Sequence, residues 1–182
     1  MTRARRAGAA IAALLALPLA GTLFVSEQRQ LHVAAGEVPL CRDGVALGRV
    51  AVATEFAWRG DQKEPARREA MVTRALRDAV AAAPCLASAS FDARAGAETL
   101  LRVRVYEAGP LLTVGLLPPH WLGFSEVSLA VEARDLRAGG ATRFDAQLRL
   151  ARGGLFALRG SAAVERDLAD AFALLLGEAP VR

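Results

Sequence analysis

The side chains able to do covalent or acid–base chemistry are few: Cys41, Cys85, His32, His120, and the carboxylates Glu126 and Glu132. A catalytic thiol needs a neighbouring base to generate the thiolate. The two histidines instead sit in the tail of an N-terminal apolar leader and in a long apolar connection. Two thiols and two scattered imidazoles also lack the clustered spacing of a metal site. What remains for the cysteines is oxidation to each other, the usual fate of a lone pair in an oxidising compartment, with two separate buried thiols as the alternative. The bridge would close a loop of about 44 residues, for which chain entropy gives roughly 4 kcal/mol.

Glu126 and Glu132 fall on one polar face of a strand, about 20 Å apart at 3.4 Å per residue. That is too far for a general acid and base acting on one bond. Partners for them are Arg102, Arg104, Arg143 or Arg149 on neighbouring strands, each exposed pair contributing about 0–1 kcal/mol. No G-x-S-x-G, phosphate-cradling G-x-x-x-x-G-K-[ST] or H-E-x-x-H occurs. The sequence therefore implies neither an enzyme nor a cofactor.

The stretch best suited to a function is the connection Gly109 to Phe124, which carries no acidic, Lys or Arg side chain. An ordinary hairpin loop is short and polar. Here Leu112, Leu116, Leu117, Trp121, Leu122 and Phe124 could close over the open end of the sheet, or form a surface for a protein partner or a membrane.

The elements that must position this connection follow from periodicity. On its N-terminal side Leu101, Val103 and Val105 alternate with Arg102, Arg104 and Tyr106. On its C-terminal side Val127, Leu129, Val131 and Ala133 alternate with Glu126, Ser128, Glu132 and Arg134. Both arms read as strands with one face in a core and the other in water. Ala138-Gly139-Gly140 then turns the chain into a further strand with Phe144, Ala146, Leu148 and Leu150 inward, broken or bent at Gly153-Gly154.

Earlier, Arg49 to Trp58 reads as a strand and Glu64-Pro65 opens a helix whose stripe is Met71, Val72, Ala75, Leu76, Ala79 and Val80; Pro84 stops it. Leu86 to Phe91 suggests a short strand. A last helix begins near Ser161 with Val164, Leu168, Ala171, Phe172 and Leu175 inward and Glu165, Arg166, Asp167 and Asp170 outward. The expected fold is α+β: a two-layer sandwich, a mostly antiparallel sheet of about five strands with two helices on one face.

Residues 1 to 35 are set aside as a leader with its linker, and 36 to 182 as the folded domain. Arg3, Arg5 and Arg6 precede the uncharged run Ala7 to Ser26, which at about 1.5 Å per residue spans roughly 30 Å as a helix. This is either a cleaved signal peptide or an uncleaved membrane anchor. The sequence pI of about 10.0 and net charge of +4 invite a nucleic-acid partner. However, Arg3, Arg5, Arg6 and Arg29, against Glu27 alone, precede Gly36, so the domain itself is nearly neutral and has no polyanion footprint.

The basic apolar leader, the strand–helix unit, and then AETLLRVRVYEAG followed by FSEVSLAVEARDL together resemble small Gram-negative envelope lipoproteins of the assembly or transport-accessory type. The resemblance covers about residues 45 to 176 and implies a non-catalytic α+β domain in the periplasm. It departs from the family at Leu19-Ala20-Gly21, where Thr22 stands in place of the lipid-bearing cysteine. The expected function is thus that of an exported cell-envelope protein, an accessory or assembly factor binding a protein partner or membrane surface. The alternative is a periplasmic carrier whose layers part around a lipid or other apolar ligand.

Overall fold

The computed structural model describes residues 26–38, 40–41, 47–60, 65–91, 95–110, 122–155 and 161–176. Its strands are β1 Ser26–Ala35, β2 Val50–Phe56, β3 Ala89–Ser90, β4 Thr99–Pro110, β5 Leu122–Asp135 and β6 Ala141–Leu155, and its helices are α1 Pro65–Ala82 and α2 Ser161–Leu176. The six strands form one sheet in the order β1-β6-β5-β4-β2-β3. The fold is α+β, as the periodicity implies, with six strands where about five are expected and a mixed sheet that is mostly antiparallel. β2 runs parallel to both β3 and β4, because α1 carries the chain back before the next strand begins.

The additional strand is β1. The run Ser26–Ala35, expected to be leader and linker, pairs antiparallel with β6 from Ser26↔Gly153 to Ala35↔Asp145. Its apolar content is too small for a strand signal, and its pairing with β6 is set from the far end of the chain. The predicted strand Leu86 to Phe91 shrinks in the opposite sense. Pro84–Leu86 forms a 3-10 turn and only Ala89–Ser90 joins the sheet. Nor does Gly153-Gly154 interrupt β6, which stays paired with β5 through Leu155.

The core is made by the residues whose alternation selects them. Leu101, Val103 and Val105 from β4, Val127, Leu129 and Val131 from β5, and Phe144, Ala146, Leu148 and Leu150 from β6 are all buried. They share one cluster with Met71, Val72, Leu76 and Val80 of α1 and Val164, Leu168, Phe172 and Leu175 of α2. The helices touch each other; α2 lies against β4, β5 and β6, and α1 reaches β4. Fully burying a Leu, Val or Phe side chain contributes about 1.5–3 kcal/mol, so this cluster is the principal source of stability.

Two turns fix the register. Between β5 and β6, Gly139 and Gly140 take φ of 68° and 84°, and the Gly140 N–H donates to the Asp135 carbonyl at 2.8 Å. After β1, Gly36 has φ of 76°, and a side chain there would collide with the Arg143 carbonyl. Beyond it the Leu40 and Cys41 amides donate to the carbonyls of Leu175 and Leu176, tying this segment to the end of α2.

Candidate functional site

Register assembles the candidate site at one end of the sheet. β4 ends at Pro110, opposite Ser125 of β5; β5 begins at Leu122, opposite Leu155, the last residue of β6. Gly153 of β6 faces Phe124 on one side and Ser26, the first residue of β1, on the other. Thus the start of β1 and both ends of the apolar connection meet the sheet along the same rim.

Of the residues expected to form the binding surface, Leu112, Leu116, Leu117 and Trp121 lie outside the described residues. Leu122 and Phe124 are the first and third positions of β5, and their backbones are paired. Cys41 and Cys85 are joined in a disulfide with Cα atoms 5.9 Å apart, both side chains in the core. The bridge ties the segment before β2 to the 3-10 turn that follows α1. His32 lies on β1, in register with Gln147, and His120 is outside the described residues. Among the described residues no group of three His, Cys, Asp or Glu side chains could hold a metal ion.

Just inside the rim, two charge clusters occupy opposite faces of the sheet. On the helix side Arg152 continues the inward parity of Phe144 to Leu150 and so reaches α2. Its Nη1 donates to Asp167 Oδ1 at 3.1 Å and to Asp170, and its Nε donates to Glu27 Oε2 of β1 at 2.8 Å. The Ser125 hydroxyl completes the cluster by donating to Asp167 Oδ2 at 2.7 Å. Asp167 and Asp170, expected to turn outward with Glu165 and Arg166, are both buried. They flank the apolar stripe of α2, and Arg152 supplies the countercharge that makes their burial tolerable. Burial opposes the charge on Arg152, but hydrogen bonds to Asp170, Glu27 and Asp167 more than offset it and hold its pKa above the ordinary arginine value.

On the other face Glu126 is 0% exposed rather than solvated. Arg149 holds its carboxylate through two hydrogen bonds, one of them Nη2 to Oε2 at 2.6 Å, and Arg59 Nη1 adds a third at 3.4 Å. Arg59 also reaches Glu107 Oε2 at 3.2 Å. The hydrogen bond to Glu126 raises the pKa of Arg149, with burial opposing it. The pairing of Glu126 with Arg149 and of Glu132 with Arg102 follows the expected cross-strand partners. Arg104 turns instead to Glu55 of β2, and Arg143 to Asp135.

Further from the rim, the same face carries an open depression of about 240 Å³ lined by Arg102, Arg104, Ala130, Glu132, Arg134 and Asp145. Its floor is Ala130, a small residue where the adjoining strands bear long side chains. Arg102 bridges Glu55 at 2.9 Å and Glu132 at 3.4 Å, while Arg134 holds Glu132 at 2.6 Å. These groups neutralise one another, so the face is charged but balanced.

Sequence reasoning missed Arg152, Asp167, Asp170, Glu27, Arg59 and Glu107. The signal for Arg152 is its parity with Leu150, which the adjoining Gly153-Gly154 pair obscures by reading as a break. The others depend on neighbours remote in sequence.

No protein family matches the chain, and no characterised protein matches it in sequence. Among solved structures it is similar to the PelC dodecamer from Paraburkholderia phytofirmans. A point variant of that protein is 19% identical with a TM-score of 0.49, the match covering 82% of this chain and 98% of the other. A second crystal form is 18% identical over the same shares, again with a TM-score of 0.49.

Proposed function

We propose that this chain is a non-enzymatic, exported protein of the bacterial cell envelope, an accessory or assembly factor that engages a protein partner or a membrane surface through the apolar connection Gly109 to Phe124. In this reading the domain is a two-layer sandwich on the periplasmic side, preceded by its apolar leader.

The observation that carries the reading is the common rim. The described chain enters the sheet at Ser26, and the connection departs at Pro110 and returns at Leu122, positions that Gly153, Ser125 and Leu155 place side by side. An apolar leader that inserts in or emerges from a bilayer sets the rim toward that bilayer, and the connection is held on the same side. Trp and Leu side chains favour such an interface. The ion-paired clusters of Arg152 and Glu126 support the rim on both faces. The alternative of a lipid carrier draws no support from the depression on the outer face, whose lining is charged.

The test is to replace Leu117 and Trp121 together by Ser and to follow the full chain in membrane and soluble fractions and in pull-downs from envelope extracts. The reading expects association with membranes or a partner to be lost while thermal unfolding is unchanged. Loss of folding would instead assign the connection to the core, and undiminished association would overturn the proposal.

A further inference from the structure

β1 raises a physical problem that the rest of the fold does not solve. It is a ten-residue strand at the edge of the sheet, and every side chain from Glu27 to Ala34 is exposed. Among the described residues no strand pairs with its outer edge. α2 packs against β4, β5 and β6. On the helix side β1 therefore carries Leu31 and Val33 in register with the buried Leu148 and Ala146 but beyond the helical layer, at 49% and 39% exposure. A long edge that no described strand pairs, with exposed Leu and Val and neither Pro nor Lys, is open to another strand over Gln28 to Val33, its charges Glu27 and Arg29 and its irregularity between Val33 and Ala35 lying toward its two ends.

The opposite edge of the sheet, β3, is only two residues long and cannot complement a ten-residue strand. The edge that matches β1 in length is β1 itself. We propose that β1 pairs antiparallel with β1 of a second copy of this chain about a two-fold axis at His32, joining two six-stranded sheets into one. In this register Leu31 faces the second copy's Val33 and Val33 faces its Leu31. Four apolar side chains thus come together on the helix side, continuous with the core faces of both sheets. The two copies of Arg29 then lie about 20 Å apart along the ladder, whereas an axis at Arg29 would set the two of them face to face. The closed two-fold arrangement uses one patch on both partners, as an isologous interface requires. It involves none of the residues of the apolar connection and stands or falls independently of the function proposed above.

The experiment uses the full chain in detergent, both as wild type and with Leu117 and Trp121 changed to Ser, so that association through the connection is separated from association through β1. Light scattering is expected to give a dimer in both. His32→Cys is expected to form an intermolecular disulfide, because facing residues of an antiparallel pair have Cα atoms about 4.5–5.5 Å apart. Gln28→Cys is expected to form none, its two copies lying about 27 Å apart along the ladder. Leu31→Lys with Val33→Lys should weaken the dimer by on the order of a hundredfold or more, since four buried apolar side chains become charged. Melting of the protomer should be unchanged, both residues being exposed there. A wild type that remains monomeric at its highest soluble concentration, a dimer that survives the Lys pair, or equal cross-linking at residues 28 and 32 would each overturn the proposal.

Discussion

Arg149 of β6 closes over the carboxylate of Glu126 on β5, with Nη2 2.6 Å from Oε2, and the carboxylate keeps no exposed surface while the arginine remains 41% exposed. The asymmetry decides which partner can be removed cheaply. Arg149→Met strands a buried negative charge that Arg59 reaches only at 3.4 Å, and unfolding in urea should show a loss of about 3–5 kcal/mol. Glu126→Gln releases Arg149 to water and should cost less, about 1–3 kcal/mol. Glu126→Leu combined with Arg149→Met should recover most of the loss; equal costs for the two single variants would refute this account.

Arg152 holds two buried carboxylates, Asp167 and Asp170, together with Glu27. Arg152→Met should destabilise by about 3–5 kcal/mol at neutral pH. Thermal melts of wild type and variant check this: equal melting temperatures would contradict it.

Glu27, the third carboxylate on Arg152, makes the stability of β1 depend on pH. Hydrogen bonding from Arg29 lowers its pKa below the ordinary 4.5, burial opposes this, and Arg152 adds to the lowering. Its stabilisation is present above the unfolded value and lost as pH falls through the lower folded value. The carboxylate is 36% exposed, so the contribution is screened to under about 1 kcal/mol. Hydrogen exchange should show β1 amides losing protection below about pH 4 in wild type, and Glu27→Gln should already have lost that increment at neutral pH. Identical β1 profiles at neutral pH would remove Glu27 from the clamp.

The Cys41–Cys85 bridge spans a sequence separation of 44 and links the lead-in to β2 with the exit of α1. Chain entropy assigns it about 4 kcal/mol. Replacing both cysteines with Ser should lower the melting temperature by roughly 10 °C or more for a domain of this size. Adding reductant to the wild type should reproduce the shift, and an unchanged melt would show that the folded core already fixes these segments.

How much of this was legible depended on the range of the interaction. The alternations of β4, β5 and β6 and the stripes of α1 and α2 are local, and they name the buried side chains Leu101, Leu129, Phe144 and Phe172. The parallel pairing of β2 with β4 is not local, nor is β1, whose Ser26 answers to Gly153. Charged residues misled for the same reason. Glu126, Asp167 and Asp170 read as solvated because their partners, Arg149 and Arg152, approach from other elements. The disulfide was readable from the cysteine count, whereas the convergence of Ser26, Pro110 and Leu122 at the rim emerges only once the register is known.

The pairing of Ser26 with Gly153 also sets an order of events. A ribosome or an export channel delivers β1 first and the strand it needs almost last, after α1 and four other strands have been laid down. Until β6 arrives, Leu31 and Val33 travel on an extended segment with no ladder to join. β1 can therefore join the sheet only once β6 is available, and Glu27 can reach Arg152 only then.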